Sequence, residues 1–88
     1  MNIQDRLITL IERSGMTPTE LEKTTGIDRM RWSNVKRKSI RATGEHLEAA
    51  GKLWPEYAYW LITGNARPEH GDISPEIEDA RKKLHEVG

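Results

Sequence analysis

Six cationic side chains, Arg29, Arg31, Lys36, Arg37, Lys38 and Arg41, fall within 13 consecutive positions that hold no acidic residue. Met30, Ser33 and Asn34 lie among them, and this mixture suits the groove of a nucleic acid. An arginine can donate two parallel hydrogen bonds to O6 and N7 of guanine, and an asparagine can pair with N6 and N7 of adenine. A methionine offers apolar contact to a thymine methyl. Arg29, Met30, Ser33 and Asn34 are therefore the candidate base-reading residues. Arg31, Lys36, Arg37, Lys38 and Arg41 are candidates for neutralising phosphates, which adds affinity without reading sequence. The formal net charge is zero, yet it is unevenly spread. Residues 1–26 hold three basic and four acidic side chains, residues 27–52 seven and three, and residues 53–88 four and seven. A charge run taken alone is equally the mark of a solvated helix face, so the elements around it must decide.

Other chemistries have less support. The chain lacks cysteine, which excludes disulfides, zinc–thiolate sites and a cysteine nucleophile. His46, His70 and His85 form no pair at a ligand spacing and are expected at the surface or in capping roles, so no metal is expected. Ser14, Ser33, Ser39 and Ser74 lack a nucleophile-elbow context, and no glycine-rich phosphate loop is present. An enzyme is not expected, and neither is a cofactor. Trp54, Tyr57, Tyr59 and Trp60 cluster around a helix start and read as core or interface, not as a stacking platform for single strands. No apolar run approaches the ~20 residues that cross a bilayer, and no secretory leader is evident, so the expected location is the cytoplasm and no membrane partner is expected.

The periodicity is helical throughout, predicting an all-α fold. A first amphipathic helix follows the Asn2 cap, with Ile3, Leu7, Leu10 and Ile11 on one stripe, and stops at Ser14-Gly15. A second opens with Thr17-Pro18-Thr19-Glu20, a capping box with proline at the first helical position, and ends at Gly26. The third starts at once from Asp28 and runs to about Arg37, with Trp32 and Val35 as apolar members. A fourth is expected from the Thr43 cap, carrying Leu47, Ala50 and Leu53, and a fifth from Pro55, carrying Ala58, Leu61 and Ile62 before Gly64. Asn65 to Asp72 reads as a loop. Ser74-Pro75-Glu76 then starts a last helix whose stripe is Ile77, Ala80, Leu84 and Val87. The expected organisation is a domain over residues 1–64, a connection over 65–74 and a C-terminal helix over 75–88.

A short helix, a glycine-centred turn and a second short cationic helix have the layout of a helix-turn-helix. The N–H groups at the start of the second helix, with the hydroxyls of Thr17 and Thr19, form a further candidate phosphate site. Residues 3–64 resemble the phage repressor and Cro-like (lambda repressor-like) helix-turn-helix family. Thr17-Pro18-Thr19-Glu20-Leu21, Gly26-Ile27, Trp32 and Tyr59-Trp60-Leu61-Ile62-Thr63-Gly64 carry the likeness. The resemblance implies a five-helix domain whose third helix enters the major groove of double-stranded DNA, usually as a dimer on an inverted-repeat operator. It matches Arg29, Met30, Ser33 and Asn34 to the family's base-reading positions. Three residues depart from the pattern: Glu22 where a small residue is usual, Thr25 where an apolar one precedes the glycine, and Lys38 where glycine often ends the helix.

The last helix has a stripe too narrow to hold it folded alone, so it must dock within the chain or pair with a second copy. Trp54, Tyr57, Ile77, Ala80 and Leu84 are the expected homodimer residues. The expected function is a sequence-specific DNA-binding transcriptional regulator, a repressor of phage or prophage type. The rival is a protein-binding module such as an antitoxin, which would hold a regulatory protein partner through Glu76, Glu78 and Asp79 and also bind its own promoter.

Overall fold

Local capping chemistry sets most helix boundaries. In the computed structural model, which describes residues 1–87 apart from the side chains of residues 86 and 87, there are six α-helices and no strand among the described residues. Helix α1 (Ile3–Ser14) begins where Asn2 Oδ1 accepts from the Asp5 N–H at 2.8 Å. In α2 (Pro18–Thr25) the Thr17 hydroxyl accepts from the Glu20 N–H at 3.2 Å, and Glu20 Oε1 accepts from the Thr17 N–H at 3.1 Å. Gly26 ends α2 at φ +78°, a left-handed conformation that glycine adopts without steric penalty. Helix α3 (Arg29–Lys36) starts from the Asp28 carboxylate, which accepts from the Met30 N–H at 3.2 Å. Its end has no glycine. Lys38 takes φ +62° there, a conformation that disfavours an L side chain by roughly 1–2 kcal/mol.

Helix α4 (Gly44–Leu53) follows Thr43. The segment expected as one helix from Pro55 is divided: Pro55–Tyr57 forms a 3-10 turn, and α5 (Ala58–Thr63) continues to Gly64. Helix α6 (Pro75–Val87) starts where the Ser74 hydroxyl accepts from the Ile77 N–H at 3.3 Å.

The apolar stripes converge on one core. Leu7, Leu10, Ile11, Leu21, Ile27, Trp32, Val35, Ala50, Tyr57, Trp60 and Leu61 are all buried together. Burying a leucine of this kind contributes on the order of 1.5–3 kcal/mol. Helix α3 packs against α2 and α1, and α5 packs against α1 and α4, so the cationic helix is seated on the body of the domain. Ile62 was expected among the apolar members and is instead 54% exposed, because a six-residue α5 turns only one face inward.

The connection after α5 is structured. Arg67 and Asp72 form an isolated antiparallel bridge around a 3-10 turn at Pro68–His70, with an ion pair of 2.7 Å between their side chains. The Arg67 guanidinium also stacks 3.9 Å from the centre of the Tyr59 ring. Helix α6 is then held near its start by Arg13, which donates to both Asp79 carboxylate oxygens at 3.0 and 3.2 Å and lies 3.5 Å from Glu78. That guanidinium holds the Asp79 carboxyl below its ordinary range. Ile77 is half-buried, Ala80 is exposed, Leu84 is 75% exposed, and Val87 lies outside the described side chains.

Candidate nucleic-acid interface

The turn between α2 and α3 is braced by two polar ties. Thr25 donates to Leu21 O at 2.6 Å, and its hydroxyl oxygen accepts from the Trp32 indole at 3.2 Å and the Ile27 N–H at 3.2 Å. Thr25 therefore satisfies the N–H of a buried tryptophan, which an apolar residue at this position could not do. Glu22 Oε2 accepts from the Arg29 N–H at 2.9 Å. The first N–H groups of a helix have no partner within it, and a carboxylate suits the positive end of the helix dipole. Glu22 and Thr25 thus fasten α2 to the first half of the cationic helix.

A third tie holds the other end. Gln4 of α1 donates through Nε2 to Val35 O at 3.1 Å and to Ile40 O at 2.8 Å, joining α3 and the loop after it to the body of the protein. Sequence reasoning missed Gln4, since no local pattern links residues more than 30 positions apart.

With α3 fixed this way, Trp32 and Val35 face the core, while Arg29 and Met30 are exposed and Ser33 and Asn34 are half-exposed. All four candidate base-reading residues are therefore reachable from solvent. The cations divide into two groups. Arg29, Lys36, Arg37 and Arg41 have no carboxylate partner among the described residues, whereas Arg31 Nη1 pairs with Glu45 at 3.2 Å and Lys38 Nζ pairs with Asp5 at 2.7 Å. Arg31 and Lys38, both expected at phosphates, thus each face a carboxylate, from α4 and α1 respectively. Lys38 also holds the Asp5 carboxyl below its usual range. Arg37 Nη2 donates to Asn34 Oδ1 at 2.6 Å, a contact between two residues given separate tasks on sequence grounds.

At the start of α2 the Thr17 hydroxyl caps its own helix and lies 3.0 Å from Glu20 Oε1. Thr19 is exposed. Among the residues expected at a dimer surface, Tyr57 is only 7% exposed and belongs to the core, and Trp54 is half-buried against it. Ala80 and Leu84 remain outward.

His46 is not at the surface. Its ring is fully buried, and Nδ1 accepts from the Thr43 N–H at 3.1 Å, which gives it the capping role but not the exposure. Burial pushes its pKa down, and the nearby Arg31 adds to that effect.

The chain is similar to Pf6r from the filamentous phage Pf6 of Pseudomonas aeruginosa PA01, with 39% sequence identity over 97% of this chain and 99% of that chain, and a TM-score of 0.86. It belongs to the family of Pf6r. The likeness to Pf6r runs through almost the whole of both chains, so α6 falls within it as well as the cationic helix. No protein-family model matches the sequence, and no curated protein matches it either.

Proposed function

We propose that this chain is a sequence-specific, double-stranded DNA-binding regulator of a phage or prophage, built on a lambda repressor-like helix-turn-helix formed by α2 and α3. One observation carries the reading: Arg29, Met30, Ser33 and Asn34 lie on the solvent side of a cationic helix whose ends are pinned to its neighbours. Rigid presentation of such a helix is what readout in the major groove requires. Kinship with Pf6r, a filamentous-phage protein, supports the phage setting. Arg29 and Met30 would meet base edges, while Lys36 and Arg41 would lie along the phosphates. Repression would follow from occluding a promoter in the cytoplasm, with no cofactor and no catalytic step.

A homodimer completes the proposal. Ala80 and Leu84 on α6, with Ile77 at their edge, would pair with a second copy and set two α3 helices about 34 Å apart on an inverted-repeat operator. The antitoxin-like alternative has less support, since two of its three contact carboxylates, Glu78 and Asp79, are engaged by Arg13.

Selection of bound fragments from a random duplex pool, followed by titration at several salt concentrations, tests the reading. Expected are an inverted repeat and a steep fall of log affinity with log salt, with Lys36→Ala and Arg41→Ala each lowering the slope by about one. Arg29→Ala should relax preference at one base pair, by about 1–3 kcal/mol. Duplex binding that is absent, or indifferent to these changes, sinks the proposal.

A further inference from the structure

We propose that Arg37 is a positioning residue that decides which base Asn34 reads, an inference that rests on the DNA-binding reading above. Asn34 and Arg37 are three positions apart at the end of α3, the spacing at which side chains on one helix face become neighbours. The bond of 2.6 Å from Arg37 Nη2 to Asn34 Oδ1 is short and charge-assisted. It also fixes the amide, because a guanidinium has only donors and can accept nothing from an NH₂ group. The oxygen must face Arg37, so Nδ2 is turned away from it.

The surroundings hold this arrangement in place. Asn34 O accepts from the Ser39 N–H at 2.9 Å and from the Ser39 hydroxyl at 3.2 Å, so the backbone beneath the side chain is tied down. Gln4 clamps the next carbonyl, Val35 O. No carboxylate among the described residues competes for the Arg37 guanidinium, as Glu45 does for Arg31 and Asp5 does for Lys38.

An unassisted asparagine offers one acceptor and one donor, the match for the amino group and N7 of adenine. Here one of the two lone pairs of Oδ1 is taken by a cation. An adenine amino group approaching the other would lie beside guanidinium N–H groups, donor next to donor. The amide nitrogen and the remaining guanidinium N–H groups make a surface on which donors predominate. Guanine presents two acceptors, N7 and O6, on its major-groove edge and no donor there. The pair thus selects guanine at the position where asparagine alone would select adenine. This revises both expected roles, adenine pairing for Asn34 and phosphate contact for Arg37.

The test uses the full chain and a set of duplexes carrying each of the four base pairs at every position of the selected operator. The position read by Asn34 is the one whose preference Asn34→Ala abolishes. Wild type is expected to prefer guanine there. Arg37→Ala should move the preference toward adenine, changing the guanine-to-adenine affinity ratio on the order of tenfold. Arg37→Lys keeps a cationic donor and should retain guanine. Adenine preference in the wild type overturns the inference. So does an Arg37→Ala variant that weakens every duplex by the same factor, with the salt slope reduced by about one and the preference intact, since that is the signature of a phosphate ligand. A wild type with no sequence-dependent duplex binding would instead overturn the DNA-binding reading, and the two failures are distinct.

Discussion

The imidazole of His46 stands edge-on to the indole of Trp32, with ring centroids 4.9 Å apart and planes at 84°. One ring belongs to α4 and the other to the cationic helix, and both are fully buried. The contact therefore couples the seat of α3 to a titratable imidazole whose pKa burial lowers.

His46 is neutral in the fold, with Nδ1 accepting from the Thr43 N–H and Nε2 buried without a partner among the described residues. Its pKa lies below the ordinary 6.5, chiefly through burial and secondarily through Arg31, against a smaller opposing effect of Glu45. The unfolded chain takes up the proton first as pH falls. Stability from this group is therefore complete above about pH 6.5 and is lost as pH drops through the lowered folded-state value. Urea midpoints should decline between pH 7.5 and pH 5.5 in wild type. In His46→Gln, which keeps a capping acceptor, the decline should flatten. Equal declines in both would place the titration elsewhere.

Glu22 gives a second prediction. Its carboxylate caps the Arg29 N–H from the neighbouring helix, so Glu22→Ala should lower stability by about 0.5–2 kcal/mol, the range for loss of a helix cap. Glu22→Gln retains an acceptor and should recover most of this. Chemical denaturation of the three proteins decides it, and an alanine variant as stable as wild type would remove Glu22 from the account.

Thr25 offers a test that separates polarity from shape. Thr25→Val has nearly the same volume but leaves the Trp32 indole N–H without its acceptor at 3.2 Å. The expected loss is on the order of 1–3 kcal/mol, the penalty for stranding a buried donor. A neutral or stabilising result would mean that water or another group satisfies the indole.

The anchoring of α6 should respond to acid. Asp79 is held below its ordinary pKa of 3.8 by its hydrogen bonds to Arg13, so the tie is present above that value and fails as pH falls through the lowered one. Protection of the α6 amides, taken relative to the intrinsic exchange rate at each pH, should fall at low pH, and Asp79→Asn should show the same loss of protection at pH 7. Leu84→Ser should leave this anchor unchanged while shifting sedimentation from dimer to monomer, the expected outcome for an exposed pairing residue. Unaltered sedimentation of a wild-type dimer would move the interface off α6.

What the sequence determined by itself was the local part of the molecule. Asn2, the box of Thr17 and Glu20, Asp28 and the stops at Gly15 and Gly26 act within four residues of chain, so helix starts and stops were legible from spacing alone. The outward set of Arg29, Met30, Ser33 and Asn34 was equally legible, because Trp32 and Val35 mark the opposite side of the same helix. Tertiary structure alone decided which charges are free. Lys38 and Asp5 are 33 positions apart and Arg31 and Glu45 are 14 apart, and no helical period relates them. It also assigned work to Glu22, Thr25 and Gln4, whose partners are backbone or indole groups that become neighbours only when α1, α2 and α3 pack. Periodicity reports which face of a helix turns inward, whereas a hydrogen bond or ion pair between helices depends on their relative placement, which exists only in the folded chain.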